Sequence, residues 1–426
     1  MNIVSILDET TASACLAKVH SIIESTKPSS KKRLFFRFLM LKELTKKRYE
    51  QWEKAMSCFN VDFEAQFWRG MPTRQLSRAI SGKLFNTEYI MSRIYLIDYF
   101  PDMYENEHSK YLYVDNDAVV TCDVEDLFSV PLITHASVVA SHAHHQQALK
   151  QTHTHTDVHT TSQLQDKVRA SHAAQVLAAV THIAHDAAVM GLVMEEHHLN
   201  AGYITSNFNH THPRVKSFIH GQKKDLFING GVAMVHIELW KKQKITEKAE
   251  ELLVENASGG MGMIWNDGAG DQGLFYVLFQ GSQIANLDAR YNMRRLPKKT
   301  TNMLNDGILG VLHLAGSTSG HIETICQDPL RYPLFLPNAV PLYLSVIYSY
   351  MQKCSAYAKQ NGQMTPFSFS NACNTAIDLV TAHIESAADG GGVVNYNPGL
   401  GPFGWPIKRA TAKAGGGAVA DSARGN

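Results

Sequence analysis

Two aspartates separated by one residue follow an apolar run in the segment KYLYVDNDAVVTCDVEDL, residues 110–127. The run that ends at Asp115 and Asp117 has the length and composition of a buried β-strand. Side chains two apart in an extended chain project to the same side, so both carboxylates can reach one hard cation. At the carboxyl end of a strand in an open α/β sheet, that side faces the ligand crevice. The alternative is a polar turn in which one aspartate caps the next helix.

Three other segments carry residue types that suit the same kind of site. FINGGVAMVHIELW places Asn229 before Gly230 and a second glycine, and the missing side chains let a ligand approach the backbone closely. GAGDQGLFYVLF puts Asp271 and Gln272 at the start of a predicted helix, and LGVLHLAG ends a strand with His313. Each segment also has an ordinary structural interpretation, as a turn, a helix cap or a core histidine.

Strands alternate with helices from the first residues onward, which predicts a layered α/β sheet. NIVSIL predicts the first strand, and Thr10 or Thr11 could cap a helix that continues through Ile23. DLFINGGVAMVHIELWKK predicts a strand that leads into a helix. The other predicted elements are strands at residues 61–68 and 137–141 and helices at residues 41–59, 89–99, 245–254 and 273–280.

The alternation is interrupted by a low-complexity segment, HAHHQQALKQTHTHTDVHTT, and by residues 162–196, which are Ala-rich and predicted to be helical. We therefore predict one α/β domain over residues 1–335 with a His-rich insertion at about 143–213. A helical C-terminal extension is predicted over residues 336–388, and a disordered tail over residues 389–426, which are rich in Gly, Ala and Pro. The histidine tract could bind Zn²⁺ or Ni²⁺, or form a flexible insertion with adventitious metal affinity.

Charge and cysteine content argue against several classes of protein. The 40 basic residues nearly balance the 39 acidic ones, so the basic excess of a nucleic-acid or anionic-membrane binder is missing. The six cysteines are scattered without a C-x-x-C pair, which favours a reducing compartment over a disulfide framework. The longest apolar run, residues 339–351, is shorter than the roughly 20 residues that span a bilayer. We expect a cytoplasmic protein without a signal peptide or transmembrane segment, and Golgi association is less expected.

Taken in order, these segments resemble glycosyltransferase family 8, the retaining nucleotide-sugar transferases of the GT-A type. The resemblance runs from Asn2 to about Phe335 apart from the insertion. It rests on a strand ending in Asp8, on Arg93 before the D-x-D motif, and on YLYVDNDAVV, FINGGVAMVHIELW, GDQG, LDARYN and HLAG. It implies a GT-A fold, a Rossmann-like mixed sheet flanked by helices.

The resemblance also implies a role for each matching residue. Asp115, Asp117 and His313 would hold Mn²⁺ or another divalent cation, since carboxylates with one imidazole suit Mn²⁺ better than Mg²⁺. Asp271 and Gln272 would be the catalytic positions, with Gln272 near the anomeric carbon. An uncharged amide is a poor nucleophile, which favours same-face attack by the acceptor over a covalent intermediate. The donor UDP-sugar would be bound by Asp8 at the uridine end, and by Arg93, Asn116, Asn229, Gly230, His313, Gly316 and Ser319.

Two departures from the family pattern affect the expected activity. The final motif, usually H-x-x-G-x-x-K-P-W, reads HLAGSTSGH here, so that Ser319 stands at the lysine position, and D-Q-D reads D-Q-G with Gly273. The implied function is metal-dependent transfer of a hexosyl or pentosyl group from a UDP-sugar to a saccharide, polyol or glycoconjugate hydroxyl. The alternatives are a degenerate nucleotide-sugar-binding protein with little turnover, favoured by the missing lysine, and a His-rich metal-buffering protein on this scaffold.

Overall fold

The computed structural model describes seventeen parts of the 426-residue chain: residues 1–8, 11–27, 34–41, 45–74, 76, 91–105, 110–132, 188–195, 206–217, 227–258, 262–266, 269–279, 284–293, 310–313, 339–361, 394–396 and 408–410. The architecture below is that of these residues.

A seven-stranded mixed sheet forms the centre of the molecule, in the order β3-β2-β1-β4-β7-β6-β8. The first four of these strands in space run parallel to one another, whereas β7 is antiparallel to both β4 and β6. A separate antiparallel pair joins β5 to β9. The strands are β1 (Asn2–Leu7), β2 (Phe35–Met40), β3 (Asp62–Phe67), β4 (Lys110–Val114), β5 (Ala118–Val120), β6 (Met190–Glu195), β7 (Phe227–His236), β8 (Ile284–Leu287) and β9 (Val311–His313).

Helices cover both faces of the sheet. Alternate residues of β1 point to opposite faces, so Ile3 and Leu7 join one apolar cluster with α1, α2 and α9, while Val4 and Ile6 join a second with α6, α7 and α8. The helices are α1 (Ala12–Ser25), α2 (Lys46–Ser57), α3 (Leu96–Tyr99), α4 (Asp102–Glu105), α5 (Val124–Ser129), α6 (Ile237–Lys242), α7 (Ile245–Ser258), α8 (Gly270–Leu278) and α9 (Ala339–Gln360), with 3₁₀ turns at Ser92–Tyr95 and Ala289–Asn292.

The strands β1 and β4 separate at their carboxyl ends. Their register ends with Val4 opposite Tyr113, whereas β1 continues to pair with β2 as far as Leu7. The strand order also changes direction between β1 and β4, because β2 and β3 extend the sheet on one side and β7 on the other. Such a switch point is where open α/β sheets bind ligands.

The predicted α/β sheet flanked by helices is confirmed, as are the strands at β1 and β3, the strand-to-helix transition from β7 to α6, and the helix α7. The prediction was wrong for residues 190–195, which were assigned to a helical insertion but form β6, an inner strand between β7 and β8. The buried residues of this strand include Met190, Leu192 and Val193. So short an apolar run was not recognised as a strand because it directly follows Ala-rich sequence that predicts a helix. The predicted strand at 137–141 lies outside the described residues.

Beyond the sheet, α9 packs against α1 and agrees with the predicted start of the helical extension. Two short antiparallel strands, β10 (Val394–Tyr396) and β11 (Lys408–Ala410), lie within the tail for which the sequence predicted disorder. The domain limits stay predictions. Among the described residues, no helix has both the length and the apolar character that crossing a bilayer requires.

Candidate active site

The D-x-D segment forms the turn that connects β4 to β5 at the switch point of the sheet. The backbone N–H of Asp115 donates to the carbonyl of Gly231 on β7 at 2.8 Å, which ties the turn to the neighbouring strand. The side chains of Asp115 and Asp117 are 24% and 33% exposed, so both carboxylates reach the edge of the protein. The turn therefore presents two acids at the carboxyl end of β4, as the sequence predicts.

His313 is brought to the same place by the pairing of β5 with β9, in which it lies opposite Ala118. Its Nε2 is 3.4 Å from Asp117 Oδ1 and 3.8 Å from Asp115 Oδ2. One ligand atom from each of the three residues lies within 4.8 Å of the others. Within the part of the chain that the structure describes, this is the one group of three acidic, His or Cys residues so arranged.

The tautomer of His313 follows from a chain of hydrogen bonds that starts at a backbone N–H. The N–H of Gly231 can only donate, and it donates to Asn229 Oδ1 at 3.1 Å. Asn292 Nδ2 donates to the same oxygen at 2.6 Å, which turns Asn292 Oδ1 toward His313 Nδ1, 2.9 Å away. Because that oxygen only accepts, Nδ1 carries the proton, and the Nε2 of a neutral ring keeps its lone pair.

A divalent cation fits this arrangement. The lone pair of His313 Nε2 faces the oxygens of Asp115 and Asp117, and acceptors that face one another repel unless a cation lies between them. Two carboxylates with one imidazole are a donor set that suits Mn²⁺.

The two oxygens of Asp115 have different partners. Oδ1 accepts from the hydroxyl of Tyr113 and from Arg93 Nη2, each at 2.6 Å. The guanidinium of Arg93 also lies over the Tyr113 ring, 4.2 Å from its centroid. Oδ2 is the oxygen on the side of His313. Tyr113 and Arg93 thus hold the carboxylate so that one oxygen is left for a cation.

Arg93 joins the turn to the helix that carries the predicted catalytic residues. Its Nη1 is 2.7 Å from Asp271 Oδ2 and donates to the carbonyl of Gly230 at 3.0 Å. Asp271 is 5% exposed, and burial raises its pKa, with Arg93 acting in the opposite direction and Asp115 reinforcing the rise. The predicted contact of Arg93 with donor phosphate or sugar stays a prediction, and its partners in this structure include two carboxylates and the carbonyl of Gly230.

The two glycines of β7 make room for side chains of the site. A Cβ built on Gly231 would lie 2.1 Å from His313 Cε1, and one on Gly230 would lie 3.0 Å from Arg93 Nη1. The sequence suggested that these glycines let a ligand approach the backbone. The space at Gly231 is instead filled by the imidazole, so any side chain at that position would displace the ring.

The D-Q-G departure has a packing explanation. A Cβ built on Gly273 would lie 2.6 Å from Cδ1 of the buried Trp265. A side chain at this position would therefore have to displace Trp265. The neighbouring Gln272 is half-buried, and its Cγ lies 3.4 Å from the position that a Gly230 Cβ would take. The structure thus brings Gln272 near Arg93, and the catalytic role of Gln272 stays a prediction.

The remaining predicted residues have varied surroundings. Asp8 Oδ1 accepts from the N–H and hydroxyl of Thr11, at 2.7 and 2.8 Å, at the start of α1. Asn116 is buried, and its Nδ2 donates to the carbonyl of Ile6 at 2.6 Å. Donor binding by Asp8, Asn116 and Asn229 stays a prediction. Two further predicted residues lie outside the described part of the chain, Gly316 and Ser319.

Sequence reasoning assigned no role to three residues that shape the site. Asn292 orients His313, Tyr113 orients Asp115, and Lys18 lies beneath the turn. LDARYN and YLYVDNDAVV contain Asn292 and Tyr113, so their presence inside the quoted motifs was an available signal. Lys18 gave none, because a lysine on a predicted helix is ordinarily a surface residue.

A family model described as "Glycosyl transferase family 8" matches residues 2–318, more than half of the chain. The chain belongs to glycosyltransferase family 8. Membership, together with the mixed sheet flanked by helices, confirms the predicted GT-A architecture and supports glycosyl transfer as the activity. A search of curated protein sequences finds no match.

Solved glycosyltransferases are similar to this family 8 chain at low sequence identity. The galactosyltransferase LgtC, in complex with donor and acceptor sugar analogues, is 14% identical with a TM-score of 0.44, over 75% of this chain and 88% of that one. Mouse xyloside xylosyltransferase 1 is 12% identical with a TM-score of 0.41, over 74% of this chain and 98% of that one. The bifunctional WbbM is 11% identical with a TM-score of 0.45, and 74% of this chain covers 46% of that protein.

Proposed function

We propose that this family 8 chain transfers a hexosyl or pentosyl group from a UDP-sugar to an acceptor hydroxyl, with retention of configuration and with the help of a divalent cation. The observation that carries the proposal is the meeting of Asp115, Asp117 and His313 at the switch point of the sheet, with the lone pair of His313 directed at the two carboxylates. Saccharides, polyols and glycoconjugates are the acceptor classes that we consider.

Asp115, Asp117 and His313 would hold the cation, for which Mn²⁺ is the first candidate. When bound, such an ion acts as a Lewis acid that stabilises negative charge developing on the departing diphosphate. Asn292 supports this role from behind the imidazole, because it fixes the tautomer that offers Nε2.

The neighbouring residues supply orientation and charge for the sugar. Arg93 is held between Asp115 and Asp271, so its guanidinium is fixed at the edge of the turn before any donor binds. A preorganised cation of this kind stabilises charge without a reorganisation step. Gln272, half-buried beside Gly230, is the group that we assign to the anomeric carbon, where its uncharged amide favours same-face attack by the acceptor hydroxyl.

Hydrolysis of a panel of UDP-sugars, followed as UDP release with MnCl₂ and with EDTA, tests this proposal. We expect at least one donor to be hydrolysed only with the metal. Asp115→Asn should lower the rate by about a hundredfold or more, since a neutral amide cannot replace a charged ligand of a Lewis acid. Asp126→Asn, on an exposed position of α5, is the matched control and should keep the parent rate. Equal rates with EDTA and MnCl₂ would contradict the proposed metal dependence.

A second candidate, nucleotide-sugar binding with little turnover, is favoured by Ser319 at the position where the family pattern has a lysine. Calorimetry of UDP with Mn²⁺ alongside the hydrolysis panel separates the two functions. Tight Mn²⁺-dependent UDP binding without hydrolysis or transfer of any donor in the panel would favour the second.

A further inference from the structure

Lys18 is a fully buried lysine on α1, directly beneath the D-x-D turn. Its Nζ donates to Asn116 Oδ1 at 2.7 Å, to the carbonyl of Val114 at 3.1 Å and to Ser5 Oγ. These partners come from the middle residue of the turn, the last residue of β4 and the strand β1. One side chain therefore ties together the three segments that meet where β1 and β4 separate.

The partners of Lys18 show that it is an ammonium. The hydroxyl of Ser5 donates to the Val114 carbonyl at 3.1 Å, so Ser5 Oγ can only accept from Lys18. The Nδ2 of Asn116 donates to the carbonyl of Ile6, so its Oδ1 faces Lys18. Three acceptors require three N–H groups, which an ammonium has and a neutral amine lacks. Burial holds the pKa of Lys18 below its ordinary value, and interactions with Cys15, Asp115 and Asp117 oppose this lowering only in part.

The place of this charge in the fold suggests its role. A buried charge is unfavourable unless hydrogen bonds and opposite charges compensate for it. Lys18 donates its hydrogen bonds to Ser5, Val114 and Asn116. Two of the groups that interact with it electrostatically are the carboxylates of Asp115 and Asp117 on the opposite side of the turn. The lysine thus holds the backbone carbonyl of Val114 and the side chain of Asn116, one on each side of Asp115, while it offsets the repulsion between the two acids.

We propose that Lys18 is a positioning residue for the cation site: it acts through Val114 and Asn116 to keep Asp115 and Asp117 in their binding geometry when no metal is bound. This inference rests on the proposed metal-dependent function. It assigns the buried Asn116 a part in the same anchor.

The effect of Lys18→Met on the affinity for MnCl₂ alone tests the proposal, because positioning and simple charge predict opposite signs. Removal of a positive charge makes the site more negative, which by itself would tighten Mn²⁺ binding. Loss of positioning weakens it, and residues behind metal ligands typically change metal affinity by about tenfold to a hundredfold. Titration of free Mn²⁺ by electron paramagnetic resonance measures the affinity, and we expect Lys18→Met to lower it by about tenfold or more.

Lys110→Met is the matched control. Lys110 lies at the opposite end of β4, where its Nζ donates to the carbonyls of Phe128 and Val130 at 3.2 and 2.7 Å. It is a lysine of the same strand, anchored on carbonyls at the end of α5 and away from the turn, so its replacement should leave the Mn²⁺ affinity unchanged. Equal losses in the two variants, or tighter binding by Lys18→Met, would overturn the proposal.

Two further measurements keep the outcome decisive. If Lys18→Met does not fold, Asn116→Leu removes the link and leaves the ammonium in place, and unchanged Mn²⁺ affinity in this variant would overturn the proposal. If the parent protein does not bind Mn²⁺, the proposed metal dependence fails by itself. Hydrogen exchange of residues 112–118 then tests the positioning role of Lys18. Positioning predicts faster exchange in Lys18→Met than in Lys110→Met, and equal exchange rates in the two variants would overturn the proposal.

Discussion

The buried Arg37 and the half-buried Arg93 each bridge a pair of acids, but the two clusters differ in what surrounds them. In the Arg37 cluster, the guanidinium of Arg37 binds Glu64, Asp102 and Asn2 and lies over the Phe35 ring, 4.4 Å from its centroid. In the Arg93 cluster, Arg93 binds Asp115 and Asp271 and lies over Tyr113. Charge, partners and aromatic contact are therefore nearly the same in kind.

The two clusters differ in whether the acceptor atoms near the arginine all have hydrogen-bond donors. Every carboxylate oxygen of Glu64 and Asp102 accepts a hydrogen bond, from Arg37 or from Gln66. The Arg93 cluster adjoins Asp117 and the Nε2 of His313, which face each other and Asp115 with acceptor atoms. An arginine between two acids is thus no sign of function by itself. What indicates a cation site is that the acceptor atoms of Asp117 and His313 face each other beside Arg93, at the carboxyl ends of the strands.

Matched Asp→Asn variants in the two clusters should give the largest contrast. Asp117→Asn replaces a predicted metal ligand with a neutral amide and should lower the Mn²⁺-dependent affinity for UDP by about a hundredfold, since a charged ligand and its Lewis-acid partner are lost together. Asp102→Asn should leave this affinity at the parent value. Calorimetric titration of UDP with and without Mn²⁺ measures both, and an intact Mn²⁺-dependent affinity in Asp117→Asn would remove the metal assignment.

Replacement of the two arginines should separate activity from stability. Arg93→Met should lower kcat/KM by about a hundredfold, as loss of a preorganised charge at a reaction centre does. Arg37→Met should lower the free energy of unfolding by about 2 kcal/mol, the size expected for lost hydrogen bonds to charged groups. Its activity per folded molecule should not change. Denaturant titrations and donor hydrolysis on the same preparations check both, and a hundredfold activity loss in Arg37→Met would erase the contrast.

The orientation of His313 should have an intermediate effect. Asn292→Leu removes the acceptor for the Nδ1 proton and should weaken Mn²⁺ binding by about tenfold. Asn292→Asp keeps an acceptor at this position and should weaken Mn²⁺ binding by a smaller factor. The measurement is the Mn²⁺ affinity of each variant. An equal loss of affinity in Asn292→Leu and Asn292→Asp would show that Asn292 contributes packing and not the hydrogen bond.

The smallest expected effect is a gain in thermal stability when Asp271 is replaced. Because burial raises the pKa of Asp271 in the folded protein, the folded state binds its proton more readily than the unfolded state does. The ionised carboxylate therefore destabilises the fold at neutral pH, and this penalty fades as pH falls through the folded pKa. Asp271→Asn should raise the melting temperature at pH 7, by a margin that shrinks toward acidic pH. A margin that grows on acidification would contradict this assignment.

The sequence predicted the parts of the site whose chemistry is local. Asp115 and Asp117 follow one strand, and His313 ends another, so strand patterns and residue types suffice to nominate them. The underside of the turn was not predictable, because Lys18, Ser5 and Asn116 meet only through the packing of α1 on the separated ends of β1 and β4. The strand β6 was missed for a related reason: its burial on both faces depends on neighbours that are distant in sequence.

The central claim is that Asp115, Asp117 and His313 form a divalent-cation site. Pulsed electron paramagnetic resonance of Mn²⁺ bound to the protein tests it most directly, because coupling to ¹⁴N reports an imidazole ligand. We predict a nitrogen coupling in the parent protein that disappears in His313→Leu and persists in Lys110→Met. A bound Mn²⁺ without nitrogen coupling, or a coupling that survives in His313→Leu, would contradict the account.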